Sequence, residues 1–353
     1  MKINNILKEY NIDELFEKLE RGKNKSLENI GHGNGHSYIG AKYNNNGVTG
    51  FVNKNYPSLH KSKGNSIVFI MTGEGSVGKA LYKEEDFYPS NNVYVGYDKT
   101  INKYTGTFFS TLINLQESRY NYGYIRNEKR LKSEKILLPT TPDGSPDYEF
   151  MESYSKAFFK RKEQEYITYI EKRLDELKNI TKPIPLEEKE WKGFLIDDLF
   201  KINIGKNIDG NKIDKINGQI PYITRKESNN ALDGFINFDD DFLNKVHPVI
   251  TVGNETAEPF VQNFKFYTGT KVNIMKSKVS LNRYSLSFIS TSLKMHKSKY
   301  SYSYTINSTR LKKQNILLPI NSAGTPDYEY MEQYMQYQEL TKLKEYLTFK
   351  KQL

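Results

Sequence analysis

One stretch of this sequence has the spacing of a phosphate-binding loop. Gly73 to Ala80 reads GEGSVGKA, close to G-x-x-x-x-G-K-[ST], and it follows the strand-like run Ser66 to Met71. In such a loop backbone amides cradle phosphates, the lysine reaches the outer phosphates and the last hydroxyl holds magnesium. Ala80 has no hydroxyl, and the pattern stands only once in the chain, which favours a Gly-rich turn without chemistry. His32 and His36 lie four apart in GHGNGH, a spacing that on a helix brings two imidazoles to one metal. Three glycines in that stretch favour a loop, no acidic ligand accompanies it, and no metal site is expected. Asp147 and Asp327 each stand two residues before a glutamate, as in a nuclease carboxylate cluster, but helix starts explain them better. The chain has no Pro-Pro, hence no Asp/Asn-Pro-Pro-Tyr/Phe motif for adenine methylation, and no Gly-x-Ser-x-Gly elbow. With five histidines and no cysteine, an autonomous enzyme is not expected.

Charge supplies a different chemistry. The net charge is +10 over 353 residues, with a pI near 9.2. Lysine and arginine that neutralise phosphates release counterions, so this balance suits a polyanion. Coding bias is the alternative, since Asn, Lys, Ile and Tyr are all abundant. No apolar run of about 18 residues predicts a membrane span. The opening MKINNILKEYNIDELF lacks the apolar core of a signal peptide, so the cytoplasm is the simplest location.

The elements that must position these residues come twice. ILLPTTPDGSPDYEFMESY (136–154) and ILLPINSAGTPDYEYMEQY (316–334) share twelve of nineteen positions at an offset of 180. Upstream, IDELF (12–16) matches IDDLF (196–200), and YIGAKYNNNGVTGFVN (38–53) matches YITRKESNNALDGFIN (222–237), at an offset of 184. YNYGYIRNEKRLK (120–132) matches YSYSYTINSTRLK (300–312). The matching parts read as framework and the stretches between have diverged. Two copies of one frame with different surfaces imply two related sites of different specificity. Asn179 to Trp191, with two prolines, reads as the linker.

Each copy predicts a mixed α/β body followed by a long helix. Runs such as Ser66 to Met71, Val93 to Tyr97 and Pro248 to Gly253 read as short strands between turns. Ser145-Pro146-Asp147 and Thr325-Pro326-Asp327 read as helix starts, with Ser or Thr as the N-cap, Pro at the first position and Asp on the dipole. Apolar stripes follow at Met151, Tyr154, Phe158, Tyr166, Ile170, Leu174 and Leu177, and at Met331, Tyr334, Leu340, Leu343 and Leu347. Helices that long cannot bury their stripes on one small body, so an antiparallel coiled coil is expected, with folding back on the body as the alternative. The tyrosine triplets 120/122/124 and 300/302/304 alternate as strands do, with core packing favoured over stacking on DNA.

The order of these segments, twice over, resembles the specificity (S) subunits of type I and BcgI-like type IIB restriction-modification systems. The resemblance rests on Trp191 with Leu195, Asp198, Leu199 and Phe200, and on Gly22-Lys23 and Gly205-Lys206. It rests further on Pro221-Tyr222-Ile223 and Ser37-Tyr38-Ile39, on the Gly75 to Lys79 turn, and on the repeated LP…G.PDYE.ME.Y segment. It covers essentially the whole chain. The first copy lacks the early Trp and the second lacks the GSVGK turn.

The resemblance implies an α+β fold of two repeated α/β target-recognition domains, each followed by a long helix, the helices pairing as an antiparallel coiled coil. The implied boundaries are 1–145 and 183–325 for the recognition domains, 146–182 and 326–353 for the spacer helices. Each body reads one half-site of double-stranded DNA in the major groove, and the helices fix a gap of about one DNA turn. Implied partners are DNA adenine methyltransferase (modification) subunits, fused to a restriction subunit, joined by one or alone. Those subunits carry S-adenosylmethionine and flip the adenine, so no cofactor and no catalytic residue is expected in this chain. DNA contact is expected from basic residues in polar turns: Lys23, Lys25, Lys42, Lys61, Lys63 and Lys79, then Lys206, Lys212, Arg225, Lys226, Arg283 and Lys297. Arg225 and Arg283 are the expected base readers, because guanidinium pairs bidentately with guanine, and the lysines the expected phosphate contacts. The competing readings are a stand-alone DNA-binding regulator or decoy, a nucleotide-dependent enzyme on Gly73 to Lys79, and a protein scaffold.

Overall fold

A computed structural model describes the chain except residues 1–5, 26, 28–29, 31–32, 54–57, 74, 122, 211–216, 302 and 353. It divides into two compact units, residues 1–166 and 167–353.

The first unit runs β1 (Ile6–Asn11), α1 (Ile12–Leu15), β2 (Lys18–Arg21), β3 (His36–Ile39), β4 (Val48–Val52), β5 (Ser66–Ile70), β6 (Ala80–Lys83), β7 (Tyr88–Pro89), β8 (Val93–Tyr97), α2 (Lys103–Asn114), α3 (Glu128–Lys132), β9 (Lys135–Thr140) and α4 (Tyr148–Glu176). Helix α4 continues past the boundary. The second unit repeats the order: β10 (Trp191–Leu195), α5 (Ile196–Leu199), β11 (Phe200–Ile204), β12 (Ile220–Ile223), β13 (Leu232–Ile236), β14 (Val249–Gly253), β15 (Pro259–Gln262), β16 (Tyr267–Thr268), β17 (Val272–Ser277), α6 (Arg283–Lys294), α7 (Ser308–Lys312), β18 (Asn315–Pro319) and α8 (Tyr328–Lys351).

Sheet topology is the same in both. A four-stranded sheet β2-β8-β5-β6 corresponds to β11-β17-β14-β15. A three-stranded sheet β4-β3-β7 corresponds to β13-β12-β16, its last pairing parallel through Tyr38 beside Tyr88 and Tyr222 beside Tyr267. A ribbon β1-β9 corresponds to β10-β18. Strand β5 is buried throughout and apolar after Ser66, because both its faces are covered. Ile67 and Phe69 enter one core with Phe109 and Ile113 of α2, while Val68 and Ile70 enter another with Ile39 and Phe87. Helices α2 and α6 are each capped by an asparagine, Asn102 and Asn282, whose side chain accepts two backbone N–H groups.

The long helices start two residues later than the sequence pattern predicts. Tyr148 and Tyr328 are their first residues. The caps are the aspartates, not Ser145 and Thr325: Asp147 accepts from the Phe150 N–H (2.9 Å) and Asp327 from the Tyr330 N–H (3.1 Å). Each proline therefore precedes the cap, and the carboxylate both bonds the open amides and meets the dipole. The first turns pack on the helix's own body, with Met151 and Met331 in its core. Within the second unit the end of α4 packs along α8, joining Ile170, Leu174 and Leu177 to Leu340, Leu343 and Leu347. Contacts there run in opposite directions, Arg173 to Glu339, Thr181 to Gln333 and Ile184 to Tyr330. The two predicted fates of the stripe thus coexist: its start folds onto the body and its end joins the other helix.

The tyrosine triplets are not strands. Asn121 and Tyr124, and Ser301 and Tyr304, are bridged across a tight turn, so the alternation is that of a knuckle. Tyr122 and Tyr302 lie outside the described residues. Among the described residues no helix is long and apolar enough to cross a membrane.

Candidate nucleic-acid interface

In the first unit three segments meet at the end of β5. The turn from Gly73 to Lys79 joins β5 to β6, so a strand follows it and not the helix that a phosphate loop requires. Gly73, Gly75 and Gly78 have φ of 102°, 68° and 88°, in the left-handed region that favours glycine. The turn is held from below by Arg126, which is fully buried. One Nη1–H donates to the Lys79 carbonyl (2.9 Å), and Nη2 donates to the Gly78 carbonyl and to Glu134 (2.9 Å). Glu134 also accepts from the Tyr120 hydroxyl (3.0 Å). From above, Ser76 Oγ accepts the Tyr43 N–H (3.1 Å), and the Lys79 ammonium sits 4.4 Å over the Tyr43 ring. The structure therefore seats Lys79 on an aromatic base, with Lys42 exposed next to Tyr43 in the chain.

The second unit builds the same place differently. Its turn has five residues (254–258) against nine (71–79), matching the drop in repeat offset from 184 to 180. It carries carboxylates. Glu255 pairs with Arg225 (2.6 Å) and Lys271 (3.3 Å). Glu258 is buried and pairs with Lys297 (2.7 Å) and Lys294; Lys297 also meets Glu227 (3.0 Å), and Lys226 pairs with Asp233. Burial pushes both turn glutamates up, but hydrogen bonds outweigh it and hold them below the usual carboxylate range. The donors are Arg225 and Lys271 for Glu255, Lys294 and Lys297 for Glu258. In place of Arg126 and Glu134 stand Ile306 and Gln314, and the turn is tied by the Ile306 N–H to the Asn254 carbonyl (2.9 Å) and by the buried side chain of Asn273.

The other predicted residues lie elsewhere. Lys23 and Lys25 are exposed on either side of Asn24, whose amide bonds the His60 backbone (2.8 and 2.9 Å). Lys61 and Lys63, on that neighbouring segment, share Asp86 (3.5 and 3.2 Å). Lys206 is exposed and donates to the Asp241 carbonyl. Lys212 falls outside the described residues, as does His32; His36 sits in β3 with its ring 6.0 Å from Tyr88. Arg283 needs correction: it is the first residue of α6, not part of a turn, and it pairs with Glu339 of α8 (2.9 Å). Its guanidinium is committed to a helix junction. Sequence reading missed Arg126, Glu255 and Glu258, whose partners are distant in the chain. It also passed over Arg130 and Arg310, although the repeated RLK block marked them.

A twice-built α/β body with basic, polar turns and a long helix after each copy defines a two-site recognition protein. The sequence matches the family described as the type I restriction modification DNA specificity domain, twice, over residues 6–169 and 188–347, and the chain belongs to that family. It is 50% identical over 147 residues to the specificity subunit of the type II restriction enzyme BcgI from Heyndrickxia coagulans. That match covers 41% of this chain and 43% of the relative. Two solved structures align along nearly the whole chain. The type I restriction-modification S subunit from M. genitalium aligns at 14% identity and TM-score 0.46, covering 99% of this chain and 94% of its own. The HsdS subunit from Thermoanaerobacter tengcongensis aligns at 12% and 0.33, covering 96% and 91%.

Proposed function

We propose that this chain reads a two-part sequence in double-stranded DNA, one part with each body, and performs no chemistry itself. It directs DNA adenine methyltransferase subunits, with or without a restriction subunit, to that site, and those partners carry S-adenosylmethionine. The observation that carries this reading is the pairing of one topology with two turn chemistries. The first body presents Lys79 on Tyr43 with Lys42 exposed next to that ring in the chain; the second presents Arg225 held by Glu255. Base pairs offer distinct donor and acceptor patterns in the major groove, so different turns on one frame read different half-sites.

The test is mapping of N6-methyladenine across the host genome with and without the gene. Loss of methylation at one split motif on deletion is the expected result. An unchanged methylome overturns the reading and favours a DNA-binding protein acting alone.

A further inference from the structure

Both bodies carry one exposed device in the same place. Tyr120 and Tyr124 stack with centroids 6.1 Å apart, and Tyr300 and Tyr304 at 5.9 Å. The Arg130 guanidinium covers Tyr124 at 3.6 Å, and that of Arg310 covers Tyr304 at 4.1 Å. Each arginine donates one Nη1–H to a carbonyl five residues back, Ile125 or Thr305, at 2.6 Å in both. Each sits on a short helix capped by an asparagine, Asn127 or Asn307. The outer rings are about half exposed, 48% for Tyr124 and 51% for Tyr304. Both arginines are half-buried, and among the described residues neither meets a carboxylate or uses its Nε or Nη2 hydrogens in a hydrogen bond.

Around this device the bodies differ. Arg126 stands in one and Ile306 in the other, Glu128-Lys129 in one and Ser308-Thr309 in the other. What both keep, a half-buried cation over an exposed ring, fits a target that is the same at both half-sites. Two half-sites of different sequence share their sugar–phosphate backbone. The device also abuts the recognition turns: Arg126 holds the Gly78 and Lys79 carbonyls, and the Ile306 N–H holds that of Asn254.

We propose that Arg130 and Arg310 are a matched pair of backbone anchors, each giving its open guanidinium edge to one DNA phosphate. The stacked tyrosines and the carbonyl bond fix the plane of the fork beforehand, so little rotamer freedom is lost on binding. Such contacts set register and carry no sequence information. The inference rests on the DNA-recognition reading above.

The test uses the full chain assembled with its modification subunits, on a duplex carrying the mapped motif, with Kd measured across salt concentrations. Arg130→Ala and Arg310→Ala are each expected to weaken binding about tenfold. Each is also expected to reduce the slope of log K against log salt by about 0.9, with the methylated motif unchanged. Arg130→Lys, which keeps the charge and loses the stack, is expected to keep the slope. An unchanged slope in both alanine variants overturns the assignment and leaves the DNA reading standing. Loss of assembly with the modification subunits at unchanged slope also overturns it, and makes this a protein-docking face. Absence of salt-dependent DNA affinity in the unaltered complex overturns the DNA reading itself.

Discussion

Glu255 determines how Arg225 presents itself. One carboxylate oxygen takes an Arg225 Nη1–H at 2.6 Å and Lys271 at 3.3 Å; the other, Oε2, is buried and has no hydrogen-bond partner among the described residues. An ion pair that fixes one edge of a guanidinium aims the opposite edge, and Arg225 remains 38% exposed for that purpose. The first body has Ala41 at the matching position, so it has no guanidinium to aim there. Arg225→Ala is expected to cost about 1–3 kcal/mol of discrimination at one position of the second body's half-site. The other half-site stays intact. Glu255→Gln keeps the shape but weakens the hold, so it relaxes the same position by less. Methylation mapping of both variants reads this directly, and an identical motif in the Arg225 variant sinks the assignment.

At the scale of elements, the junction of α6, α8 and the end of α4 turns on one carboxylate. Glu339 takes Arg173 (3.0 Å), Arg283 (2.9 Å) and the Tyr284 hydroxyl (2.8 Å), and its side chain is 21% exposed. Removing it leaves two cations facing each other. Glu339→Ala is expected to cost about 1–3 kcal/mol, between a surface pair and a buried one. Burial pushes the Glu339 carboxyl up, but Arg173, Tyr284 and Arg283 together hold it below its ordinary value. A depressed carboxylate stabilises the fold fully above its unfolded pKa near 4.3, and that contribution disappears as pH falls through the lower folded value. Thermal unfolding of the unaltered chain therefore steepens its loss of stability below about pH 4.3, and Glu339→Gln flattens that limb. A Glu339→Ala variant as stable as its parent at pH 7 contradicts this account. The same junction shows where sequence reading stops. The repeat, the strand runs and the long helices were legible because each is a pattern carried by the sequence itself. The fate of Arg283 was not, because its partner lies 56 residues away. The tyrosine triplets misled for the opposite reason: a tight knuckle and a strand share the same alternation.

For the whole molecule the length of the helices is the quantity that a spacing role would use. Helix α4 has 29 residues, about 44 Å at 1.5 Å per residue, against about 34 Å for one turn of DNA. If the helices space the bodies on DNA, four residues added in register to both α4 and α8 lengthen each by about 6 Å. The gap between half-sites then grows by about one to two base pairs at 3.4 Å per step, while each half-site keeps its sequence. The insertions belong within the exposed stretch around Phe158 and Phe159 of α4, beyond the turns that pack Met151 into the body. Placed there they spare the apolar contacts of Ile170, Leu174 and Leu177 with α8. Methylation mapping of the lengthened chain gives both quantities at once. A longer gap with unchanged half-sites assigns spacing to the helices and reading to the bodies. An unchanged gap means that the partner subunits, not this chain, set the distance.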